Sequence, residues 1–331
     1  MKNSSAQPNP LTDPVVPAIR SEALIAAASA GFFDALARRP LKAPALARAL
    51  GLDTTGVKRV ADVLAACGYL ERAGDVYALT DVSRTAFLKT GSVRLTNWVK
   101  FGAIQLRGLR RLQKVLESGR PVDLYDLMEN ENELLTQQRA MAETAGPAAG
   151  WVAENIPVRS GAEYMLDIGG SHGLYSAAIC RRNPPLLSDV LELPSVINAA
   201  RKVSKEYGTA RFVNYIEGDI ATEELTKTYD VVFLGNIIHH QKKKTAGSVL
   251  SKIASSMTPG GTIALWDLAE TGERPDETAA CFSLFFYLTS GAGCYSERET
   301  AALLESAGFE CVESIHPTRT STHVLSIGRR P

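Results

Sequence analysis

The sequence predicts an α/β protein: a mostly parallel, doubly wound sheet in the C-terminal half, preceded by helices and a winged helix. Three observations carry this. From Ala162 onward short apolar strands alternate with helical stretches, the order that builds a parallel sheet covered on both faces. Residues 41–81 run helix, turn, helix and hairpin. At 331 residues the chain is also long for a single core, so two domains are expected.

Composition narrows the class. The chain is 45% hydrophobic and 22% charged, as ordinary globular proteins are. Lys+Arg and Asp+Glu both total 36, so no global field favours nucleic acid or an anionic membrane. Cys67, Cys180, Cys281, Cys294 and Cys311 are scattered, without a CxxC. That spacing implies reduced thiols in a cytoplasmic protein, not a disulfide framework or zinc site. The most apolar run, 23–37, contains Asp34 and is too short to span a bilayer.

The elements follow in order. Residues 1–18 are polar and proline-rich and read as a disordered tail, not a signal peptide. Residues 19–38 form one helix, dense in alanine and leucine, stopped before Pro40. A short helix covers 43–50, and Gly51-Leu52-Asp53 turns, with Asp53 or Thr54 as the next N-cap. Val57, Val60, Val63 and Leu64 make an apolar stripe at helical spacing. Residues 69–72 and 76–79 alternate around Ala73-Gly74-Asp75, a hairpin signal. The winged helix thus spans 19–92. Its candidate recognition helix carries only Lys58 and Arg59, against Asp62. The first 150 residues hold 19 Lys and Arg against 15 Asp and Glu. That is thin for a duplex-binding face, so packing and dimerisation are the expected role, with a DNA-binding regulator as the alternative.

Residues 93–158 read as a helical connector: one long helix over 96–117, then helical stretches over 124–156 interrupted near Gly146-Pro147. In the last domain, 159–331, strands are expected over 164–169, 186–191, 210–216, 229–235, 260–268, 310–314 and 323–327. Helices fall over 174–181, 194–207, 244–257 and 297–307.

The stretch LDIGGSHGLYS, 166–176, leaves the first of these strands, where such sheets bind ligands. Its glycines, Gly169, Gly170 and Gly173, do not fit the G-x-G-x-x-G spacing that admits a pyrophosphate. Asp167 would repel a phosphate but hold a cation. S-adenosylmethionine (SAM) carries an ammonium and a sulfonium and no phosphate, so D-x-G-G-x-x-G suits it better. Later strand ends agree. Glu192 is placed to accept from ribose hydroxyls. Asp219 is placed to meet an adenine amino group and Ile220 its face, and a fourth strand runs into GNIIHHQ.

This set resembles the SAM-dependent O-methyltransferases of the caffeate, acetylserotonin and hydroxyneurosporene type. The resemblance covers about residues 20–330: LTD at 79–81, Gly119-Arg120-Pro121, LDIGGSHG, LELP, GDI, the NxxH stretch, PGG at 259–261 and LLESAGF at 303–309. It implies a Rossmann-like class I methyltransferase domain behind a winged-helix dimerisation domain, hence a homodimer acting on a small-molecule acceptor. It implies SAM contacts at Asp167, Gly169, Gly170, Gly173, Glu192, Asp219, Ile220 and Asn236, with S-adenosylhomocysteine (SAH) as product. His239 falls at the general base and Asp267 at the acid that orients it. Met141 matches a pocket methionine. The stretch CFSLFFYLTSGAGCY, 281–295, matches the acceptor wall, where Phe282, Phe286 and Tyr295 are singled out with His240. Departures are Ser171 for a glycine, Glu192 for an aspartate, His240 for an aspartate and Cys294 for a second catalytic glutamate.

Methyl transfer is an in-line displacement at an activated carbon, so positioning and desolvation supply much of the catalysis. A hydroxyl acceptor must still lose its proton, and a histidine is the natural base. The expected activity is therefore O-methylation of a small aromatic or polyketide-like hydroxyl compound. Cys294 keeps open a non-methylating step such as hydroxylation or decarboxylation on the same fold, and C- or N-methylation is a further alternative. The pair His239-His240 does not suggest a metal: adjacent residues on one turn are expected to point apart, and no HxxxH exists.

Overall fold

The computed structural model describes residues 8–91, 93–270, 276–318 and 322–331, and the chain divides into two compact units, Met1–Gln105 and Leu106–Pro331. In the first unit, residues 1–7 of the expected tail lie outside the described residues. The rest of the tail is more ordered than expected. Thr12 and Asp13 donate their N–H groups to the Asn9 carbonyl, and helix α1 (Val16–Ala30) starts inside the stretch read as tail. Pro17 sits in its first turn, where a missing N–H removes no helical bond. The single helix expected over 19–38 is two, α1 and α2 (Phe32–Ala37), because Gly31 takes a left-handed φ of 81°. Phe32 and Phe33 thereby turn into the core, Phe33 stacking on Phe87 at 3.9 Å.

Strand β1 (Leu41–Lys42), helices α3 (Ala43–Leu50) and α4 (Thr54–Ala66), strands β2 (Leu70–Ala73) and β3 (Val76–Leu79) and helix α5 (Asp81–Phe87) complete the winged helix. β3 pairs antiparallel with both β1 and β2; the two-residue β1 was not foreseen. Asp53 is the N-cap of α4, accepting from the Gly56 N–H at 2.6 Å, and Thr80 caps α5. Asp62 on α4 accepts from Lys58 Nζ at 2.7 Å, Arg72 Nη1 at 2.8 Å and the Tyr77 hydroxyl at 2.6 Å. Those contacts hold its carboxyl below the usual range, Lys58 contributing most.

The unit boundary falls within α6 (Thr96–Leu109). The helix expected over 96–117 breaks at Arg110-Arg111, and α7 (Leu112–Ser118) follows. Gly108 abuts Leu127, where a Cβ would sit 2.8 Å from its Cδ1, and this weak helix former lets the Arg111 N–H tighten onto the Gly108 carbonyl. A 3₁₀ turn at Tyr125–Leu127 leads into α8 (Glu131–Asn155). Contrary to expectation, α8 runs unbroken through Pro147. The residues around it are Ala145, Gly146, Ala148 and Ala149, small enough to relieve the ring's crowding. Buried Ala142, Ala145, Ala149 and Val152 pin the helix on both sides of it.

The sheet of the second unit contains β4 (Tyr164–Ile168), β5 (Leu187–Glu192), β6 (Val213–Glu217), β7 (Tyr229–Gly235), β8 (Met257–Glu270), β9 (Tyr295–Ser296), β10 (Glu310–Ile315) and β11 (His323–Arg329). Helices α9 (Leu174–Arg182), α10 (Ile197–Glu206), α11 (Lys243–Ser255), α12 (Glu277–Ser290) and α13 (Glu297–Ser306) connect them. The order is β10-β11-β8-β7-β4-β5-β6, with β9 beside β8. The five strands from β8 to β6 are parallel, while β11 and β10 are antiparallel at one edge.

Alternation decides the two faces. Leu166, Ile168, Val232, Leu234, Ile263 and Leu265 pack with α11 and α13. Met165, Val231, Phe233, Ala264 and Trp266 pack with α9 and the end of α8. The chain leaves β4 toward β5 on one side and returns to β7 on the other, so the strand order reverses beside β4. Crevices for ligands open at the carboxyl ends of such strands. Among the described residues no helix is long and apolar enough to cross a membrane.

Candidate active site

Asp167 is the next-to-last residue of β4 and is buried. Its Oδ2 accepts from the Ser176 hydroxyl at 2.6 Å, but its Oδ1 has no hydrogen-bond partner among the described residues. Burial pushes this carboxyl up to about 7, with the charge of Glu192 adding and the Ser176 bond opposing. The loop backbone comes very close around it. A Cβ on Gly170 would lie 2.4 Å from Asp167 Cγ, and one on Gly169 would lie 2.4 Å from Ile237 Cδ1. Gly173, with φ 67°, is the N-cap of α9. A bare carboxylate oxygen beside a side-chain-free loop is a cradle for a compact cationic donor such as an ammonium.

The other acids meet the same edge differently. Glu192 ends β5 and is buried; its Oε2 accepts from the Ser171 N–H at 3.1 Å and its Oε1 from the Leu193 N–H at 2.9 Å. Burial pushes its carboxyl up, and those two bonds oppose the shift. Asp219 lies exposed beyond β6, where its Oδ1 accepts from the Ala221 N–H at 2.9 Å. Ile220 is buried in the core of the α11 face. Asn236, just after β7, takes a left-handed φ of 57° and donates its N–H to the Trp266 carbonyl at 2.8 Å.

His239 lies in a 3₁₀ turn, 238–240, and is buried. Its Nδ1 bonds Asp267 Oδ1. That carboxylate is held by further donors: Ile238 N–H to Oδ2 at 3.1 Å, His239 N–H to Oδ2 at 3.4 Å and Leu268 N–H to Oδ1 at 2.7 Å. A carboxylate on Nδ1 keeps the proton there and leaves Nε2 with the lone pair. Asp267 does not end its strand as expected, since β8 continues to Glu270 and pairs with β9.

The expectation that His239 and His240 point apart is overturned. Their ring centroids are 4.2 Å apart, because both pack on Phe286. The Phe286 ring stacks on His239 at 3.6 Å and 14°, and meets His240 edge-on at 5.2 Å. Burial, with His239 adding, holds His240 well below its ordinary value. Among the described residues no group of three or more His, Cys, Asp or Glu is placed to hold a metal.

The remaining candidates divide. Phe282 stacks on Phe286 at 6.0 Å. Tyr295 is buried, and its hydroxyl donates to the Gln241 carbonyl at 2.6 Å, tying β9 to the turn that carries His239. Met141 lies mid-way along α8, and its backbone is close enough to His172 of the glycine loop for that ring to feel it. Cys294 is buried; desolvation, then the charges of Asp267 and Glu270, push its thiol up to about 12. Cys294 is thus a neutral group facing the dyad.

Sequence reasoning missed several neighbours. Gln138 of α8 is buried and its Oε1 accepts from the Ser171 hydroxyl. It stands on the stripe Leu134, Leu135, Met141, Ala142 and Ala145, and a polar residue on an apolar stripe is a readable signal. Tyr125 feels the charge of Glu192, and burial raises its hydroxyl. His323 stacks on Trp266 at 5.1 Å, close enough to Asp267 and His239 to feel both. Nothing local in the sequence marks Tyr125 or His323.

A model described as an O-methyltransferase domain matches residues 94–310, and one described as an O-methyltransferase dimerisation domain matches residues 17–89. The tetracenomycin polyketide synthesis 8-O-methyl transferase TcmO of Streptomyces glaucescens is 26% identical, over 94% of this chain and 93% of that protein. The acetylserotonin O-methyltransferase of Mus musculus is 27% identical, over 93% of this chain and 85% of that protein. Among solved structures, human N-acetylserotonin methyltransferase in complex with SAM superposes with a TM-score of 0.86. It is 20% identical and the match covers 100% of this chain and 99% of that one. The mitomycin 7-O-methyltransferase MmcR superposes with a TM-score of 0.83 at 26% identity, covering 97% of both chains.

Proposed function

The chain belongs to the O-methyltransferase family, and from that premise we propose that it transfers a methyl group from SAM to a hydroxyl of a small aromatic or polyketide-like compound, with His239 as general base. The observation that carries the reading is the convergence on one edge of the sheet. The orphaned Asp167 oxygen and the His239–Asp267 pair both lie at carboxyl ends of the parallel strands. TcmO and the acetylserotonin enzyme, by name O-methyltransferases of a polyketide pathway and of acetylserotonin, support this acceptor class.

Asp167 takes the ammonium of the methionine end, with Gly169, Gly170 and Gly173 giving the loop its close approach. Glu192 keeps free lone pairs for ribose hydroxyls while two backbone N–H groups hold it. Asp219 and Ile220 serve the adenine, and Asn236 flanks the methionine end. Bound SAM supplies a methyl carbon activated by its sulfonium. His239 accepts the acceptor proton at Nε2, while Asp267 holds the ring through Nδ1 and stabilises the imidazolium. Phe282, Phe286, His240 and Met141 wall the acceptor. Tyr295 stands behind them and fixes the His239 turn. Cys294, being neutral, leaves Asp267 as the dyad's single carboxylate.

Residues 19–92 serve to join two copies of the chain into a homodimer. Against a duplex-binding role for that unit, Lys58 and Arg72 both pair with Asp62, which offsets one of their two charges. The protein works in the cytoplasm on a soluble acceptor.

The test begins with calorimetric titration by SAM and SAH, beside an Asp167→Ala/Glu192→Ala double variant. Micromolar binding that the variant loses supports the cofactor site; no binding by the wild type sinks it. Phenolic and polyketide acceptors are then screened for methyl transfer. His239→Ala should lower kcat by roughly 10²- to 10⁴-fold while SAH still binds. Unchanged turnover would remove His239 from its role.

A further inference from the structure

Ser171 departs from its surroundings twice. It is a non-glycine residue at φ 45° in a loop otherwise served by glycines, a conformation that disfavours any Cβ. It is also buried with every polar group engaged. Its N–H donates to Glu192 Oε2 at 3.1 Å, its carbonyl accepts from the Tyr215 hydroxyl at 2.5 Å, and its hydroxyl donates to Gln138 Oε1. The Gln138 amide is oriented in turn, since its Nε2 donates to Gln137 Oε1 at 2.7 Å. Ser171, Gln137 and Gln138 are all buried.

The next residue meets the same helix. His172 is buried and held down to about 4, chiefly by desolvation, so its ring is neutral. Its Nδ1 accepts from the Leu174 N–H at 3.1 Å, and the ring feels the Met141 backbone. Gln138 and Met141 are three residues apart on α8, and so on one face. Two consecutive loop residues thus meet one turn of α8, Ser171 through a hydrogen bond.

We infer that Ser171 and Gln138 are positioning residues that latch the cofactor loop to α8, fix the Ser171 N–H on Glu192, and make loop occupancy felt in the stretch of α8 carrying Met141. This rests on reading 166–176 as the SAM loop. A serine in a left-handed turn is tolerable here because its hydroxyl has a buried partner that glycine would leave unmet. Helix α8 therefore acts as a wall of the cofactor site, although it touches the loop from outside the sheet.

The test is SAH calorimetry on the full chain, with hydrogen exchange over residues 137–145. The variants are Ser171→Gly, Ser171→Ala, Gln138→Leu and the Ser171→Gly/Gln138→Leu pair. Ser171→Ala keeps the strain and loses the bond, so it should weaken SAH binding most, by about tenfold, the effect of one unmet buried partner. Ser171→Gly should weaken it by about threefold, since strain is relieved as the bond is lost. The double variant should be no worse than Gln138→Leu alone, because the two groups act as one. SAH should protect 137–145 in the wild type and not in the single variants. Affinities within about twofold of wild type with α8 protection intact would overturn the latch while leaving the SAM site standing. A wild type that does not bind SAH overturns the parent reading and the latch with it. If Ser171→Ala does not fold, Ser171→Gly, which strains nothing, decides by the same two readouts.

Discussion

At the amino ends of β5 and β7, Asp189 and Asp230 are surrounded by donors. Asp189 takes Lys227 Nζ at 2.9 Å, the Tyr229 hydroxyl at 3.2 Å and Asn214 Nδ2 at 3.0 Å. Asp230 takes the Arg159 guanidinium, the N–H groups of Glu163 and Tyr164 at 2.8 and 3.1 Å, and the Thr258 hydroxyl at 3.1 Å. At the carboxyl ends, Asp167 and Glu192 are as buried but among the described residues have no cation paired with them, and Asp167 keeps one oxygen bare. The same residue types in the same sheet therefore do opposite things. Acids at one end join strands to the loops beneath them. At the other end Asp267 is matched by His239 and backbone donors and Glu192 by two backbone N–H groups, while Asp167 keeps an oxygen that a cationic ligand would meet.

The largest effect should come from the bare oxygen. Asp167→Asn is expected to weaken SAH binding at least about 100-fold, since a buried charge partner is removed from the ligand's ammonium, measured by calorimetry. The same change should stabilise the unliganded protein. Burial raises the Asp167 carboxyl to about 7 in the folded state, against about 4 in an unfolded chain. A raised acid costs nothing below its unfolded value, and the cost grows as pH climbs toward 7 and is full above it. The melting advantage of the variant should therefore be absent near pH 4 and greatest at pH 8, on the order of 4 kcal/mol. Wild-type SAH binding should tighten over the same interval. A variant that melted lower at pH 8 would break the contrast.

Next in size is the other end. Asp230→Ala should destabilise the protein by about 2–3 kcal/mol, less than a fully buried pair because Arg159 is half exposed. SAH affinity of the folded fraction should stay unchanged, read by melting and titration together. Burial pushes Asp230 up, but Arg159 and the backbone donors outweigh it and bring the carboxyl down to about 2. Its stabilisation is thus present above about pH 4 and lost as pH falls toward 2. The smallest effect belongs to Lys227→Ala, about 0.5–1 kcal/mol by denaturant melting, because Lys227 is 41% exposed and Tyr229 and Asn214 still serve Asp189. A loss of SAH binding from either amino-end variant would blur the distinction between the two edges.

Much of this was legible in the residues. Helix α3, the cap at Asp53, and β7 appear where spacing and capping chemistry put them, because those signals are local. Boundaries shifted where a residue's preference met a tertiary demand. Gly31 broke a helix whose alanine content argued for continuity, and Pro147 failed to break one whose neighbours were small. The His239-His240 turn was misread because rotamers there answer to Phe286, forty-six residues away.

Local chemistry along the chain determined the order of strands and helices, the glycine loop with its acid, and the reactive residues at the strand ends. These depend on periodicity, backbone freedom and side-chain type, each readable over a few positions. Tertiary structure alone decided which acids are matched and which are bare, that Asp267 closes on His239, and that α8 holds Ser171. Those outcomes turn on burial and on partners tens of residues distant. An isolated carboxyl in a sequence carries no sign of the dielectric or the donors that the fold will bring to it.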